Sequence, residues 1–236
     1  MSEQKQAMSV PMAIVIAGAL VAGAVYFSNV GPKDLPAGQA GLPVPTVAPQ
    51  PTRPPASLEI APITEADHIR GDVNAPITIL EYSDLECPFC KVFHQSMIRI
   101  IAEYPGKVRW VYRHAPLIQL HQKAPVEANA SECAAAQGKF WEFTDVVFAA
   151  TGSNDSLDLA KLADYAKQAG VADATAFKTC VDEHTFKEKV DAQLADGIKA
   201  GLQGTPFNMV IKADGTKEQL GGGVPYEQLK TIIEEL

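Results

Sequence analysis

Hydrophobic and polar positions divide this chain into three unlike stretches. No charged residue occurs between Lys5 and Lys33, and within that gap Val10 to Phe27 is an unbroken apolar run, VPMAIVIAGALVAGAVYF. As a helix rising ~1.5 Å per residue, it approaches the ~30 Å hydrocarbon core of a bilayer once Ala7 to Ser9 are added. Apolar on every side, it does not suit one face of a soluble helix. The other reading is a cleaved signal peptide, with Ala22-Gly23-Ala24 as the small-residue site. That site falls inside the run and the run is long for a signal core, so residues 1–30 are read as an anchor. Either reading sends the remainder outward. From Gly31 to Ser57 eight prolines lie among Gly, Ala, Val and Thr with no apolar period. Proline removes a backbone donor and favours an extended conformation, so 31–57 is read as a semi-rigid linker.

The third stretch, 58–236, carries periodic patterns. Pro76 to Tyr82 is a short apolar, β-branched run suited to a strand covered on both faces. After Cys87-Pro88-Phe89-Cys90, the positions Phe89, Val92, Phe93, Met97, Ile100 and Ile101 recur at helical steps until Tyr104-Pro105-Gly106. Lys107 to Arg113 alternates, with Val108, Trp110 and Tyr112 on one face. Gln122 to Ala200 reads as almost all helix, broken at Gly138, Gly152-Ser153-Asn154, Gly170 and Gly201. Phe207 to Lys212 and Thr216 to Leu220 flank an Ala213-Asp214-Gly215 turn, and a last helix sets Tyr226, Leu229, Ile233 and Leu236 on one side. The predicted order is βαβ, a helical block, then ββα.

Composition and charge narrow the function. The 236 residues carry a formal charge of −8. Lys5, Lys33 and Arg53 against Glu3 and Asp34 leave +1 before Leu58, so the rest holds −9. No basic run interleaved with aromatics occurs, which argues against nucleic acid, whose phosphates need a positive surface. Four cysteines sit at 87, 90, 133 and 180, one close pair and one distant pair. In an oxidising compartment, that division reads as one redox pair and one structural staple.

A Cys-x-x-Cys that opens a helix after a strand has a chemical purpose. The spacing brings the sulfurs within disulfide reach, and the open N-terminal turn favours a thiolate at Cys87. Pro88 fits that turn, where its missing donor costs nothing. Asp84 and Glu86 work in the opposite sense, as negative charge beside Cys87. Zinc would need four ligands, and no second CxxC or His pair at ligand spacing is present, so no metal is expected. An inert structural disulfide is the main competing reading of Cys87 and Cys90. His94, one turn after Cys90, reads as a packing residue, and a Cys-His protease arrangement with His114 is disfavoured by a resolving cysteine three residues away.

Four stretches together resemble the DsbA family, particularly the anchored BdbD-like oxidoreductases of the thioredoxin superfamily. They are Glu81-Tyr82-Ser83-Asp84 leading into Cys87-Pro88-Phe89-Cys90, Tyr112 to Leu117, Cys133 to Trp141, and Gly204-Thr205-Pro206-Phe207. The likeness covers about Asp67 to Leu236. It implies an α/β thioredoxin fold, a mixed sheet flanked by helices, with a helical insertion at about 118–201. By the same likeness Cys87 is the attacking cysteine and Cys90 the resolving one, while Pro88 and Phe89 border the substrate. Pro206 is the family's cis-proline, Thr205 pairs its backbone with substrate, and Glu81 is a buried carboxylate assisting proton movement. Cys133 and Cys180 form a structural disulfide. Glu81 also shares a face with Ile77 and Ile79, and burial would raise its pKa. No cofactor is expected beyond the Cys87–Cys90 disulfide.

The implied function is extracytoplasmic disulfide donation to cysteines of exported proteins by a monomer. A quinone-linked membrane partner of the DsbB or VKOR type would reoxidise it. The family's archetype has His between its cysteines where this chain has Phe89, which leaves its oxidising strength open. A reductase, an isomerase and a non-catalytic scaffold with the same groove are the alternatives.

Overall fold

The computed structural model describes residues 58–236; the anchor and linker expectations for 1–30 and 31–57 lie outside the described residues. Among the described residues, no helix is long and apolar enough to cross a membrane.

Five strands form one sheet: β1 (His68–Gly71), β2 (Ile77–Ser83), β3 (Val108–His114), β4 (Phe207–Ile211) and β5 (Lys217–Leu220). Their order across the sheet is β1-β3-β2-β4-β5. β2 and β3 run parallel, with Ile77 opposite Val108 and Ser83 opposite His114, and the other three pairings are antiparallel. Every residue of β2 is buried, as expected of a central strand between two helical layers. On one face lie Ile77, Ile79, Val108, Trp110 and Tyr112, and on the other Leu80, Tyr82, Val111 and Met209.

The crossover from β2 to β3 is α1 (Pro88–Glu103), whose Phe93, Met97 and Ile100 face the core. Between β3 and β4 the chain runs through α2 (Ala124–Ala135), α3 (Phe140–Ala150), α4 (Leu162–Gln168), α5 (Ala174–Asp182) and α6 (Lys187–Ala200). The last helix, α7 (Tyr226–Glu234), packs against α1. Cys133 in α2 and Cys180 in α5 are joined by a disulfide that ties two helices of this block, 47 residues apart in sequence.

Several sequence expectations need correction. The edge strand β1 has no alternating pattern to announce it. His68 turns its Nε2 toward Glu132 Oε1 at 2.8 Å, while Arg70 makes a two-point contact with Asp145 in α3. Phe89 and Val92, expected on the buried face of α1, are 63% and 43% exposed. The helical period is genuine, but the buried face is carried by Cys90, Phe93, Met97 and Ile100. Leu236 falls after α7 and is exposed, and the strand expected at 76–82 is shifted by one residue to 77–83. The break expected at Gly152-Ser153-Asn154 is present and longer, spanning 151–158, where Ser153, Asn154 and Asp155 adopt positive φ. That turn is clasped to the start of α1: Asn154 N donates to Glu86 O at 2.8 Å, and Leu157 N to the Glu86 carboxylate at 2.9 Å.

Candidate active site

The Cys-Pro-Phe-Cys segment sits where β2 ends and α1 begins. Cys87 is the N-cap residue of α1 and Pro88 opens the helix, so the donor that proline lacks is one the first turn leaves free anyway. One helical turn places Cys90 inside, fully buried, while Cys87 lies at the surface of the core with 4% exposure. The two cysteines are unbonded here.

The site's second wall comes from a distant part of the chain. The Thr205–Pro206 peptide is cis, and Thr205 O lies 3.2 Å from Cys87 Sγ, accepting its thiol hydrogen. A third wall is the turn before α7. A Cβ added to Gly223 would stand 2.9 Å from Phe89 O and 3.2 Å from Phe89 Cα, so only glycine lets this backbone approach the CPFC segment. Asn208 holds the same turn through Nδ2, which donates to Gly221 O and Gly222 O. On the cis-proline side of the site, a polar cleft of about 320 Å³ is lined by Gln203, Pro206, Gln219 and Gly222.

Electrostatics separate the two thiols. Cys87 is lowered to about 6, first because the Cys90 thiol donates a hydrogen bond to it. Burial opposes this, but Thr205 and the N–H groups of Cys90 and Phe89 lower it further. The Thr205 hydroxyl is buried beside the site without a hydrogen bond of ordinary geometry. The helix N-terminus therefore acts without a regular cap hydrogen bond. Cys90 is pushed well above the usual thiol range, by burial and then by the charge at Cys87 and Glu81. The two acids that the sequence sets beside Cys87 are turned elsewhere. Asp84 accepts from Leu117 N at 2.8 Å, Glu86 N at 2.8 Å and the His121 ring at 3.0 Å. Glu86 accepts from Thr151 Oγ1 and Leu157 N, each at 2.9 Å.

Glu81 is fully buried beneath the cysteines. It accepts Ser83 Oγ at 2.6 Å and Trp110 Nε1 at 3.0 Å, yet burial outweighs both and raises it to about 8. It therefore carries a proton at neutral pH. The structure thus gathers Cys87, Cys90, Glu81, Pro88, Phe89, Thr205 and Pro206 at one end of the sheet. Cys133 and Cys180 are paired separately in the helical block.

His94 does not face the cysteines; its Nε2 lies 2.8 Å from Asp145 Oδ1, and burial lowers its pKa. His114 meets Glu132 at 3.1 Å, not Cys87. Among the described residues, His68, His114 and Glu132 could hold a metal ion, with one ligand atom each within 4.8 Å. Lys189 already places its ammonium 2.8 Å from Glu132 Oε2, so the cluster is balanced as an ion-paired tie between β1, β3, α2 and α6.

Sequence reading missed His121, the Trp110 donor and Glu127, a fully buried acid in α2 with neither oxygen hydrogen-bonded. Glu127 is pushed up to about 9, by burial and then by the charge of Glu86. An isolated loop histidine and an acid within an alanine-rich helix carry no spacing signal; only the packed fold brings them behind Cys87.

Comparison with known proteins fits this geometry. A family model described as Thioredoxin matches residues 63–235. Among solved structures, Pseudomonas aeruginosa DsbA2 is 27% identical with a TM-score of 0.60, covering 74% of this chain and 96% of its own. Wolbachia pipientis alpha-DsbA1 is 26% identical with a TM-score of 0.64, covering 76% and 95% respectively. Among curated sequences, the Na(+)/H(+) antiporter NhaA 1 of Mycolicibacterium gilvum is 37% identical over 60% of this chain and 23% of its own length. The chain thus spans under a quarter of that relative.

Proposed function

Because this chain belongs to the thioredoxin family and is a thiol-disulfide oxidoreductase of DsbA-like build, we propose that it works as a disulfide donor to cysteines of exported proteins. The observation that carries this reading is the split between a depressed Cys87 and an elevated Cys90. A thiolate held at Cys87 stabilises the reduced pair, and a pair more stable when reduced is more oxidising toward others.

In the proposed cycle, a substrate thiolate attacks Cys87 Sγ of the Cys87–Cys90 disulfide. A bond forms between the substrate sulfur and Cys87, and Cys90 leaves with the electron pair. Glu81, protonated at neutral pH, is the acid placed to give Cys90 its proton. A second substrate thiolate then attacks the substrate sulfur of the mixed disulfide and expels Cys87 as thiolate. Two substrate thiols are oxidised and the pair gains two electrons. An extended substrate would lie along Thr205, with apolar side chains on exposed Phe89.

Reoxidation falls to a quinone-linked membrane partner in this reading, and the Val10 to Phe27 run supports an extracytoplasmic domain on a membrane anchor. The antiporter likeness, limited to under a quarter of that protein, adds no transport role.

The reduction potential of the pair, measured on the full chain against glutathione, tests the direction. A value less negative than about −200 mV supports donation, and one near −270 mV would make the protein a reductase. A pair that exchanges with neither glutathione nor a dithiol peptide would leave only a scaffold.

A further inference from the structure

Phe89 occupies the position between the cysteines, so α1 brings no cationic side chain to the thiolate from within the CPFC segment. A different residue stands ready to do so. His121 lies in the loop after β3 and is buried, with 6% exposure. Its Nδ1 is 3.0 Å from Asp84 Oδ2. Asp84 also fixes both cysteines through its backbone: its O accepts Cys87 N at 3.1 Å, and its N donates to Cys90 Sγ at 3.4 Å. The same carboxylate grips the His121 loop a second time, at Leu117 N.

We propose that His121, paired with Asp84, is a positioning residue that supplies the positive charge facing the Cys87 thiolate. It rests on the exchange chemistry proposed above. An imidazolium whose one ring N–H is committed to Asp84 cannot swing away, and little water screens it. Without that cation, Asp84 would stand as a bare negative charge one turn from the nucleophile and oppose its ionisation. The pair His121–Asp84 thus turns a hindrance visible in the sequence into a neutral unit.

The surrounding charges agree with this arrangement. Burial works against a charged His121, but the hydrogen bond and charge of Asp84 outweigh it and raise its pKa, with Cys87 and Asp155 adding to the rise. Asp155 is itself held by the backbone N–H groups of Gln122 and Lys123, and Lys123 Nζ is occupied by Asp155 O and Leu157 O. Glu86 is satisfied by Thr151 and Leu157, and Glu127 is held protonated. Lys91 Nζ is occupied by Thr151 O, which leaves His121, among the described residues, as the cation paired with Asp84 in this cluster.

Coupling between two titrating sites is reciprocal, which gives a double test. In the full chain with the active-site pair reduced, the ultraviolet thiolate absorbance of wild type should show a midpoint at about 6. In His121→Gln, which keeps a donor for Asp84 but no charge, the midpoint should rise by about one unit. In Asp84→Asn/His121→Gln, which removes both charges, it should return to within a few tenths of a unit of wild type. The reverse measurement uses NMR titration of the His121 ring: its pKa should fall in Cys87→Ser by the same amount that Cys87 rises in His121→Gln. An unchanged thiolate midpoint in folded His121→Gln overturns the inference and leaves the exchange chemistry standing. Should that variant not fold, an unshifted His121 in Cys87→Ser overturns it equally. A wild-type pair that exchanges with neither glutathione nor a dithiol peptide would instead overturn the exchange reading from which this one starts.

Discussion

The two cysteine pairs of this chain contain the same atoms and have opposite surroundings. Cys133 and Cys180 sit on α2 and α5, packed against apolar side chains, with the Asn129 amide donating to Cys133 Sγ at 3.8 Å. Cys87 and Cys90 span one turn at a strand-to-helix junction, among hydrogen-bond donors, a buried acid and a cis-proline loop. What separates a staple from a reagent is therefore not the bond. It is whether the fold supplies a home for the thiolate once the bond opens. Among the described residues the helical block supplies one long amide contact, from Asn129 to Cys133, and the sheet end supplies several groups that favour the Cys87 thiolate.

The largest break in that comparison is Cys87→Ser, which should lower oxidation of a dithiol peptide on the order of a thousandfold or more. Cys133→Ala/Cys180→Ala should leave the same assay within a few-fold.

Denaturant unfolding should show the converse. The closed loop of 47 residues makes removal of the Cys133–Cys180 bond worth about 4 kcal/mol in the chain-entropy model. If the thiolate midpoint of Cys87 moves in that double variant, the two pairs are coupled and the contrast drawn here fails.

Next in size is a pH effect at Glu81. Its folded pKa of about 8 lies above the ordinary 4.5, so the folded state binds the extra proton. The contribution to stability is full below the unfolded pKa and is lost as pH rises through 8. Glu81→Gln should abolish roughly 3.5 kcal/mol of the decline between about pH 5 and pH 8, read as the difference between the two pH–stability curves. Parallel curves would show that Glu81 ionises normally.

The smallest expected change is at Thr205→Val. Losing the hydroxyl beside Cys87 should raise its thiolate midpoint by about half a unit, with stability nearly unchanged. A drop in the midpoint would place the hydroxyl elsewhere.

Much of this contrast was legible in the sequence, for identifiable reasons. The strand before Cys87, the helix after it and the alternation of Val108, Trp110 and Tyr112 are local, periodic signals, and they appear within a residue of where they were read. Glu81 shares the buried face with Ile79 because a strand has a period of two. Three features resisted. β1 is held by ion pairs and stacking of His68 on Phe140, not by alternation. Phe89 and Val92 extend an apolar stripe beyond the face that Cys90, Phe93, Met97 and Ile100 bury, and a stripe does not reveal how wide its covered part is. His121 and Glu127 depend on α2 and the loop after β3 folding back behind the cysteines. That is a tertiary fact with no local trace.

Cys87 and Thr205 touch across 118 positions of sequence. Made from the N-terminus at ~5–20 residues per second, the nucleophile precedes its covering loop by roughly 6–24 seconds. Three of the four cysteines are in existence before the fourth, at 180, is added. During that interval the growing chain is the nearest pool of thiols to its own catalytic pair. α1, which buries Cys90, packs against α7 as well as against β3, so the wall around the catalytic pair is complete only once residues 226–234 have been added.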